Sequence, residues 1–330
     1  MAPELSTPDL STADVPTTDL PATRDPLRSI VFRAMGTVGH VVLLGAGAPP
    51  IDEVVGRVEE LEAAWSRFRP GAELSRLGAG DGRPALVSHP TAMLLQRCVW
   101  AWRRTGGRFD PTVLHAIRAA GYDRDFEDLP ELVTLEAAEP PPGCVGIEVD
   151  ASIDLVRLPA GVGIDPGGLG KGLAADLVAT AAVELGAAGA MVSLGGDLRV
   201  AGSPPAEGWE VALDHHIAPV ARVNLLDAAV ATSSTLRRRW ATPQGPAHHV
   251  IDPRTGRPST GPLVACSVLA AEAWWAEALA TTLLVGWGEP GSEPELLDLL
   301  EGAGALLTFV DGSQRAVGPL AEAFSPGRNP

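Results

Sequence analysis

The glycine-rich segment 165–172, with the sequence DPGGLGKG, is the strongest single constraint on the fold of this chain. Glycines let the backbone approach a ligand closely, and a helix predicted over 173–185 would offer free N–H groups to an anion. The spacing does not fit a P-loop, because Gly172 stands where the magnesium-binding hydroxyl would be, and it does not fit the G-x-G-x-x-G dinucleotide fingerprint. A tight strand-to-helix turn with Lys171 in solvent explains the segment equally well.

Strand and helix patterns follow one another along the rest of the chain. Residues 29–32 and 38–44 are β-branched and apolar, and they predict a hairpin, or a strand with a bulge at AMGT 34–37. Apolar residues recur at helical spacing in 51–68, 91–104 and 271–285. Further strands are predicted within 145–158, 191–200, 209–214, 220–226, 263–269, 305–310 and 313–317. This mixture of helices and antiparallel strands predicts an α+β fold.

The composition indicates a large globular core and excludes several classes of partner. With 45% hydrophobic residues in 330, the chain can bury a sizeable core in one large domain or two intimate ones. The formal net charge of -16 argues against nucleic acid and anionic membranes, since the only basic run is 237–239. No segment approaches the ~18 consecutive apolar residues of a membrane span, so we expect no membrane insertion.

The composition of residues 1–27 predicts a disordered tail. The strand and helix patterns of residues 28–326 predict a folded domain. The tail is rich in Pro, Thr, Ser and Asp, and it lacks a basic n-region, an apolar h-region and a lipid-attachment cysteine. Cys98, Cys144 and Cys266 are far apart and do not have the spacing of metal ligands. We therefore expect a protein of a reducing compartment, the cytoplasm.

Two turn-like motifs have a structural explanation that is simpler than a functional one. The paired glycines in LGGD 194–197 predict a bulge or a closely approaching ligand, and the bulge is the simpler interpretation. The segment GRFDPT 107–112 predicts a turn into a helix, with Asp110 or Thr112 as its cap.

Two other motifs carry groups suited to catalysis. In HHVIDPRTGRP 248–258, one of the adjacent histidines can serve as a general base, although a capped turn with solvated histidines is simpler. Glu277 and Thr281 are four residues apart on one helix face, where a carboxylate and a hydroxyl could hold Mg²⁺. A surface glutamate is the simpler explanation for that pair alone.

The order of the motifs is more specific than any one of them. Nearly all of the chain after the tail resembles the ApbE family, the FAD:protein FMN transferases. The runs that carry the resemblance are AMGT 34–37, SRFRPGAELSRL 66–77, GRFDPT 107–112, IDPGGLGKGLAAD 164–176, VSLGGDLRVAG 192–202, ATSS 231–234, HHVIDPRTGRP 248–258 and EALATTLLVGWG 277–288. The resemblance implies an ApbE-like α+β fold with FAD in a central cleft. It also implies transfer of FMN to a Thr or Ser hydroxyl of an acceptor flavoprotein, with AMP as the leaving group.

The resemblance also implies roles for individual residues. The carbonyl of Gly168 and the side chains of Glu277 and Thr281 match the family's metal ligands, which implies Mg²⁺. His249 is the candidate base for the acceptor hydroxyl. The positions that match the FAD-binding residues of the family are Met35, Phe68, Arg108, Phe109, Asp110, Asp165, Lys171 and Ile251.

The chain departs from the family pattern in ways that leave alternatives open. Glu277 stands where the family usually has Asp, and Ser234 replaces the glycine of the usual Thr-Ser-Gly. The sequence does not separate a transferase from an FAD pyrophosphatase that forms FMN and AMP, because water would simply replace the acceptor hydroxyl. A non-catalytic FAD-binding protein is the alternative from another class.

Overall fold

The computed structural model describes residues 27–326 of the chain. The disorder predicted for residues 1–26 lies outside the described residues, whereas Leu27 already belongs to the first strand. The helices of the described part are α1 (Ile51–Trp65), α2 (Glu73–Gly78), α3 (His89–Arg104), α4 (Leu114–Ala119), α5 (Gly170–Glu184), α6 (Ala273–Gly286) and α7 (Glu293–Asp298). None of these helices has the length and hydropathy that crossing a membrane requires.

The strands of the described part form one large sheet and several small ones. They are β1 (Leu27–Ala34), β2 (Thr37–Leu44), β3 (Ala85–Leu86), β4 (Glu148–Asp150), β5 (Leu155–Arg157), β6 (Gly189–Leu194), β7 (Asp197–Gly202), β8 (Trp209–Leu213), β9 (Ala221–Leu225), β10 (Ala229–Ser234), β11 (Arg239–Thr242), β12 (Gly245–His248), β13 (Ile251–Asp252), β14 (Arg257–Pro258), β15 (Leu263–Ala270), β16 (Gly304–Phe309), β17 (Gln314–Val317) and β18 (Ser325–Pro326). The small sheets are β3-β5-β4, β18-β9-β8, β11-β12 and β13-β14.

The large sheet has eight strands in the order β1-β2-β6-β7-β10-β15-β16-β17. Every neighbouring pair in it is antiparallel. Its central strands are buried on both faces: Val41 and Leu43 of β2 pack into one core, while Val42 and Leu44 pack into another. This two-sided burial explains the continuous apolar run in β2, which a half-exposed strand would not need.

Helices α5 and α6 cover one face of the large sheet, and the β18-β9-β8 sheet covers the other. The two helices approach very closely at their N-termini, since a Cβ on Gly172 would lie 2.4 Å from the carbonyl oxygen of Ala273. Only glycine fits there. The carboxylate of Asp176 on α5 accepts hydrogen bonds from the backbone N–H groups of Ala273 and Trp274, both at 2.9 Å. One helix thereby caps the other.

The predicted α+β class is confirmed, with differences at particular elements. Helix α1 ends at Trp65 rather than at residue 68, because Ser66 is already extended (φ -62°, ψ 121°). Helix α5 begins at Gly170, so it includes the last glycines of the segment 165–172. The bulge predicted at Gly195 and Gly196 is wrong. These residues form the β6–β7 turn with φ values of 66° and 98°, which glycine adopts without strain.

Candidate active site

Several segments that are distant in sequence meet at one end of the large sheet. The β1–β2 turn and the β6–β7 turn lie side by side there, since the backbone N–H of Gly195 donates to the carbonyl of Val38 at 3.0 Å. Strand β10 reaches the same end, and the N–H of Thr232 donates to Asp197 Oδ1 at 3.2 Å. The AMGT, LGGD and ATSS runs of the sequence are therefore neighbours in space.

Lys171 occupies the centre of this region. Its Nζ lies 3.0 Å from Asp197 Oδ2, forms a second ion pair with Glu277 Oε1, and donates to the carbonyl of Gly167 at 3.0 Å. The other oxygen of Glu277 accepts from the backbone N–H of Gly172 at 2.8 Å. The carboxylate on α6 therefore contacts the glycine-rich segment directly, although 106 positions separate Lys171 from Glu277.

The electrostatics of this cluster follow from its burial. Both carboxylates are only 2% exposed. Burial raises the pKa of Glu277, Asp197 raises it further, and Lys171 partly offsets both effects. Burial by itself would lower the pKa of Lys171, but Asp197 and Glu277 outweigh it and hold that pKa above its usual range. The pKa of Glu277 is raised to about 8, so a further cation beside it would favour its ionised form.

Further oxygen donors lie near Glu277 along α6. One helical turn further along α6, Thr281 Oγ1 lies 2.9 Å from Ser233 Oγ at the end of β10. Gly168 faces the same hydroxyl, since a Cβ on it would lie 3.5 Å from Thr281 Oγ1 and 3.2 Å from the ring of Phe109. The structure therefore brings Gly168, Glu277 and Thr281 close together, and it adds Ser233 from the ATSS run.

The donor set has a consequence for the kind of metal that fits it. Among residues 27–326, no three His, Cys, Asp or Glu side chains cluster so that they could hold an ion alone. A metal beside Glu277 would take most of its ligands from hydroxyl, backbone and substrate oxygens. That pattern fits Mg²⁺, which binds few carboxylates and completes its shell with water and phosphate.

Asp165 shapes the start of the glycine-rich segment. Its Oδ1 accepts from the N–H of Gly167 at 2.7 Å, and its Oδ2 pairs with Arg67 Nε at 3.3 Å, with both side chains buried. The Arg67 guanidinium lies over the rings of Phe68 and Tyr122, 4.3 and 4.4 Å from their centroids. Arg67 was missed in the sequence, where the only indication was its place in the run 66–77.

The GRFDPT segment forms a turn rather than a helix cap. Asp110 Oδ1 accepts from the N–H of Thr112 at 2.8 Å and from its hydroxyl at 2.6 Å. Helix α4 begins only at Leu114, and its N-cap residue Val113 makes no side-chain capping bond, so the predicted helix cap is wrong. Asp110 and Thr112 instead build a local turn of the kind that Asp side chains commonly form. Phe109 from the same segment is buried against Gly168.

Arg108 lies away from Lys171, at the far end of α6. Its Nη2 is 3.1 Å from Glu295 Oε2 and 3.4 Å from Glu289 Oε2. The same region contains Asp252 and Arg254, which line a surface cavity together with Arg108. The structure thus brings the GRFDPT segment next to the 248–258 segment, and Arg108 already has carboxylate partners there.

The remaining predicted cofactor-binding residues lie on apolar surfaces. Ile251 is buried in a cluster with Tyr122 and Trp240, and Phe68 packs against that cluster. Met35 is in the β1–β2 turn with a positive φ of 52°, which an ordinary side chain rarely adopts, and it packs against the main core. The β-turn therefore holds a methionine in a conformation that glycine or asparagine would adopt more easily.

His249 has the properties of a neutral imidazole. Burial lowers the pKa of His249 well below its usual value, and the charges of Arg238, His248 and Lys171 lower it further. Its Nδ1 is buried and has no hydrogen-bond partner in the described chain. The adjacent His248 turns away and bonds the carbonyl of Ser259 through Nε2 at 2.9 Å. Only one of the two histidines is therefore left with an unused ring nitrogen.

A second buried histidine supports the end of β10 from the other face of the sheet. His215 is 2% exposed, and its ring nitrogens contact Thr308 Oγ1 at 2.6 Å and Ser267 Oγ at 2.7 Å. Ser267 Oγ lies 2.6 Å from Thr232 Oγ1, and Thr232 in turn bonds Asp197. No local pattern predicts this chain of hydrogen bonds, because its members come from five separate strands or loops.

The chain is similar in sequence to several named proteins. Relatives named FAD:protein FMN transferase include one from Treponema pallidum, 29% identical over 81% of this chain and 78% of the relative. Another, from Haemophilus influenzae, is 26% identical over 78% of this chain and 80% of the relative.

Solved structures share the fold. The ApbE protein of Thermotoga maritima matches with a TM-score of 0.78 and 22% identity, over 90% of this chain and 98% of that one. The flavin transferase ApbE of Vibrio cholerae matches with a TM-score of 0.73 and 22% identity, over 91% and 100%. The ApbE family model matches residues 35–298, most of the described chain. This chain belongs to the ApbE family.

Proposed function

We propose that this chain is an FAD:protein FMN transferase. It moves FMN from FAD onto a Thr or Ser hydroxyl of an acceptor flavoprotein and releases AMP. Its family and the names of its relatives support the activity. The observation that carries the proposal is the junction of Glu277 with Lys171 and Gly172, because a buried carboxylate, an ammonium and a helix N-terminus there converge on one point.

FAD would lie between the β1–β2 turn, the glycine-rich segment and the 248–258 segment. Met35, Phe68 and Ile251 would offer apolar surface to the flavin ring. Lys171 would contact the diphosphate, while Asp165, Phe109 and Asp110 would hold the backbone that surrounds it. Arg108 would have to exchange its carboxylate partners before it could reach the cofactor.

Mg²⁺ is the metal that we propose for the site. The carbonyl of Gly168, the carboxylate of Glu277 and the hydroxyl of Thr281 would hold it, and all three are hard oxygen donors. When bound, the ion supplies positive charge next to the diphosphate oxygens. The residues of the chain then have to position FAD and the acceptor and to remove one proton.

His249 is our candidate for the base. The acceptor hydroxyl oxygen forms a bond to the phosphorus of the FMN moiety, and the bond from that phosphorus to the bridging oxygen breaks. AMP leaves with the bridging oxygen, and the hydroxyl proton passes to the neutral imidazole. A low pKa suits this role, because the ring is then free of a proton near neutral pH.

The test is incubation of the purified protein with FAD, Mg²⁺ and a flavoprotein domain that carries a candidate Thr. We expect the acceptor to gain the mass of one FMN and AMP to appear in equal amount. An acceptor in which that Thr is replaced by Val is the matched control, and a Thr→Ser acceptor examines whether either hydroxyl serves.

The other outcomes identify the alternatives. Release of free FMN and AMP without a mass gain on the acceptor would indicate an FAD pyrophosphatase. Intact FAD after prolonged incubation with metal would indicate a non-catalytic FAD-binding protein. Either result would overturn the proposed transferase.

We propose the cytoplasm as the compartment of this activity. The three cysteines are all buried and unpaired in the described structure, as expected in a reducing environment. Detection of the protein in the membrane or extracytoplasmic fraction of its source cells would contradict this proposal.

A further inference from the structure

The charges around Lys171 do not favour a diphosphate. Asp197 and Glu277 already contact the single ammonium of Lys171, and Asp165 neutralises the nearby Arg67, so little positive charge is left uncompensated. The diphosphate of FAD brings two further negative charges to this place. At the short distances of a buried site such repulsion is large, so binding requires cations in addition to Lys171.

Arg238 is the described cation best placed to supply one. It lies between β10 and β11, and its Nη2 donates to the carbonyl of Gly36 in the β1–β2 turn at 3.2 Å. The charge of Arg238 lowers the pKa of both Lys171 and His249. The guanidinium therefore lies near both groups as well as beside the β1–β2 turn.

The backbone supports this placement. Few non-glycine residues in the range 27–326 have a positive φ, and Arg238 at 47° contacts the turn that holds another, Met35 at 52°. Strained backbone of this kind costs free energy and persists where the surrounding structure fixes it. The contact leaves most of the N–H groups of the guanidinium free to donate elsewhere.

The neighbouring arginines point to other surroundings. Arg237 bonds Nε2 of His216 at an exposed position. Arg239 is the first residue of β11. It is exposed, and it pairs with His248 of β12. Arg238 donates to the β1–β2 turn, whereas the contacts given above for Arg237 and Arg239 are with His216 and β12.

We propose that Arg238 is a substrate-binding residue whose guanidinium binds the diphosphate of FAD from the side opposite the metal. The inference rests on the proposed function, because it takes FAD as the ligand. Arginine suits this role, since its planar guanidinium donates two parallel hydrogen bonds to phosphate oxygens. The carbonyl of Gly36 orients the group before the substrate arrives, which reduces the entropy lost on binding.

The test is a set of equilibrium titrations of the full chain with FAD and with riboflavin, which lacks the diphosphate. We expect Arg238→Gln to raise the Kd for FAD by about tenfold or more while leaving riboflavin binding unchanged. The Gln amide ends short of the position of Nη2, so this variant also loses the bond to the carbonyl of Gly36, and the riboflavin titration reports whether the turn is disturbed. Arg238→Lys should give an intermediate Kd, because it keeps the charge but loses the paired donors.

Arg239→Gln is the matched control, since it removes the same charge from the next residue. We expect its Kd for FAD to stay within twofold of the wild type. Equal Kd changes in Arg238→Gln and Arg239→Gln, or no change in either, would overturn the assignment of Arg238. So would a parallel loss of riboflavin binding. Wild-type protein that binds no FAD would overturn the proposed function itself, and this inference with it.

Discussion

At the residue scale, Glu277 uses both of its carboxylate oxygens in contacts with helix α5. One faces Lys171 and the other accepts from the N–H of Gly172. The Glu side chain, one methylene longer than Asp, spans from α6 to these two groups on α5. A ligand that is already held on two sides is well positioned for a metal, because little side-chain freedom remains to be lost.

The Glu277→Gln variant tests the role of the negative charge at this position, because it keeps the shape of the side chain. The amide keeps the length of the side chain but gives up the negative charge that a divalent cation needs. We expect Mg²⁺-dependent FAD cleavage to fall by about 100-fold or more, with the Kd for FAD changed far less. Steady-state AMP release and an FAD titration measure the two quantities. Turnover at the wild-type rate would remove Glu277 from the metal site.

His249 should govern the acid side of the pH-rate profile. Because its pKa is lowered, the imidazole stays unprotonated to a more acidic pH than a free histidine. We expect kcat for FMN transfer to decrease at acid pH with a midpoint below pH 6.5, the ordinary pKa of the ring. His249→Ala should lose about 100-fold or more in kcat. An acid limb at or above pH 6.5, or full activity in His249→Ala, would show that another group takes the proton.

His215 should act through its Nε2, which contacts Ser267 and through it Thr232, and not through its Nδ1. Gln places an amide near the position of Nε2 beside Ser267, whereas Asn places one near Nδ1 beside Thr308. We expect His215→Asn to lower kcat for transfer by about tenfold with little change in KM for FAD, and His215→Gln to retain most of kcat. Both variants should melt at lower temperature than the wild type. Parallel losses of kcat in the two would indicate a purely structural role.

The site residues differ in how well the sequence predicted them. Glu277, Thr281 and Gly168 could be selected from the sequence because a family motif contains each of them, and they lie close together in the structure. His215 and Arg67 were missed, because a buried histidine or arginine has no local pattern. Their partners come from other segments, and only the folded chain supplies them.

At the scale of elements, the cap that joins α5 to α6 should make stability depend on pH. Burial raises the pKa of Asp176 to about 6, and the N–H groups of Ala273 and Trp274 and the charge of Arg199 only partly offset it. The folded state therefore binds this proton more tightly than the unfolded state. The stabilisation is complete below the ordinary pKa of 3.8 and is lost as the pH rises through about 6.

Asp176→Asn removes that titration and provides the measurement. Between pH 4 and pH 7.5, the free energy of unfolding of the Asn variant relative to the wild type should rise by about 2–3 kcal/mol. Urea denaturation at a series of pH values measures it. Asp227→Asn is the control, since Asp227 is an exposed partner of the same Arg199. A pH-independent difference for Asp176→Asn would contradict the raised pKa.

Elements with a uniform pattern were predicted well, and those with a mixed pattern were not. The β1–β2 hairpin and helices α1, α3 and α6 have clear apolar periodicity, and their ends shifted by only a few residues. Strand β10 was not predicted, because its second half, Thr232 to Ser234, is polar on both faces. That polarity is explained by the site on one face and by the His215 hydrogen bonds on the other, so function obscured the strand pattern.

At the scale of the whole molecule, the site is built from segments that sequence spacing cannot relate. Arg238 and Gly36 are 202 positions apart, and Lys171 and Glu277 are 106 positions apart. Periodicity predicts each element alone but not which strand ends share an edge of the sheet. The order of the family motifs indicated that these segments belong to one site. The antiparallel strand order of the large sheet explains why their turns and strand ends lie at the same edge.

Because FAD and metal would bridge α5, α6 and two turns of the sheet, their binding should stabilise the entire chain. Ligand that binds only the folded state adds about 2.7 kcal/mol at a concentration 100 times its Kd, which corresponds to a rise in Tm of about 5 °C. Thermal melting with FAD and Mg²⁺ measures this. FAD with EDTA should give a smaller rise, and Glu277→Gln should lose the part that depends on Mg²⁺ while keeping the part due to FAD. If EDTA leaves the rise in wild-type Tm unchanged, metal and FAD do not share the site that Glu277 and Lys171 form.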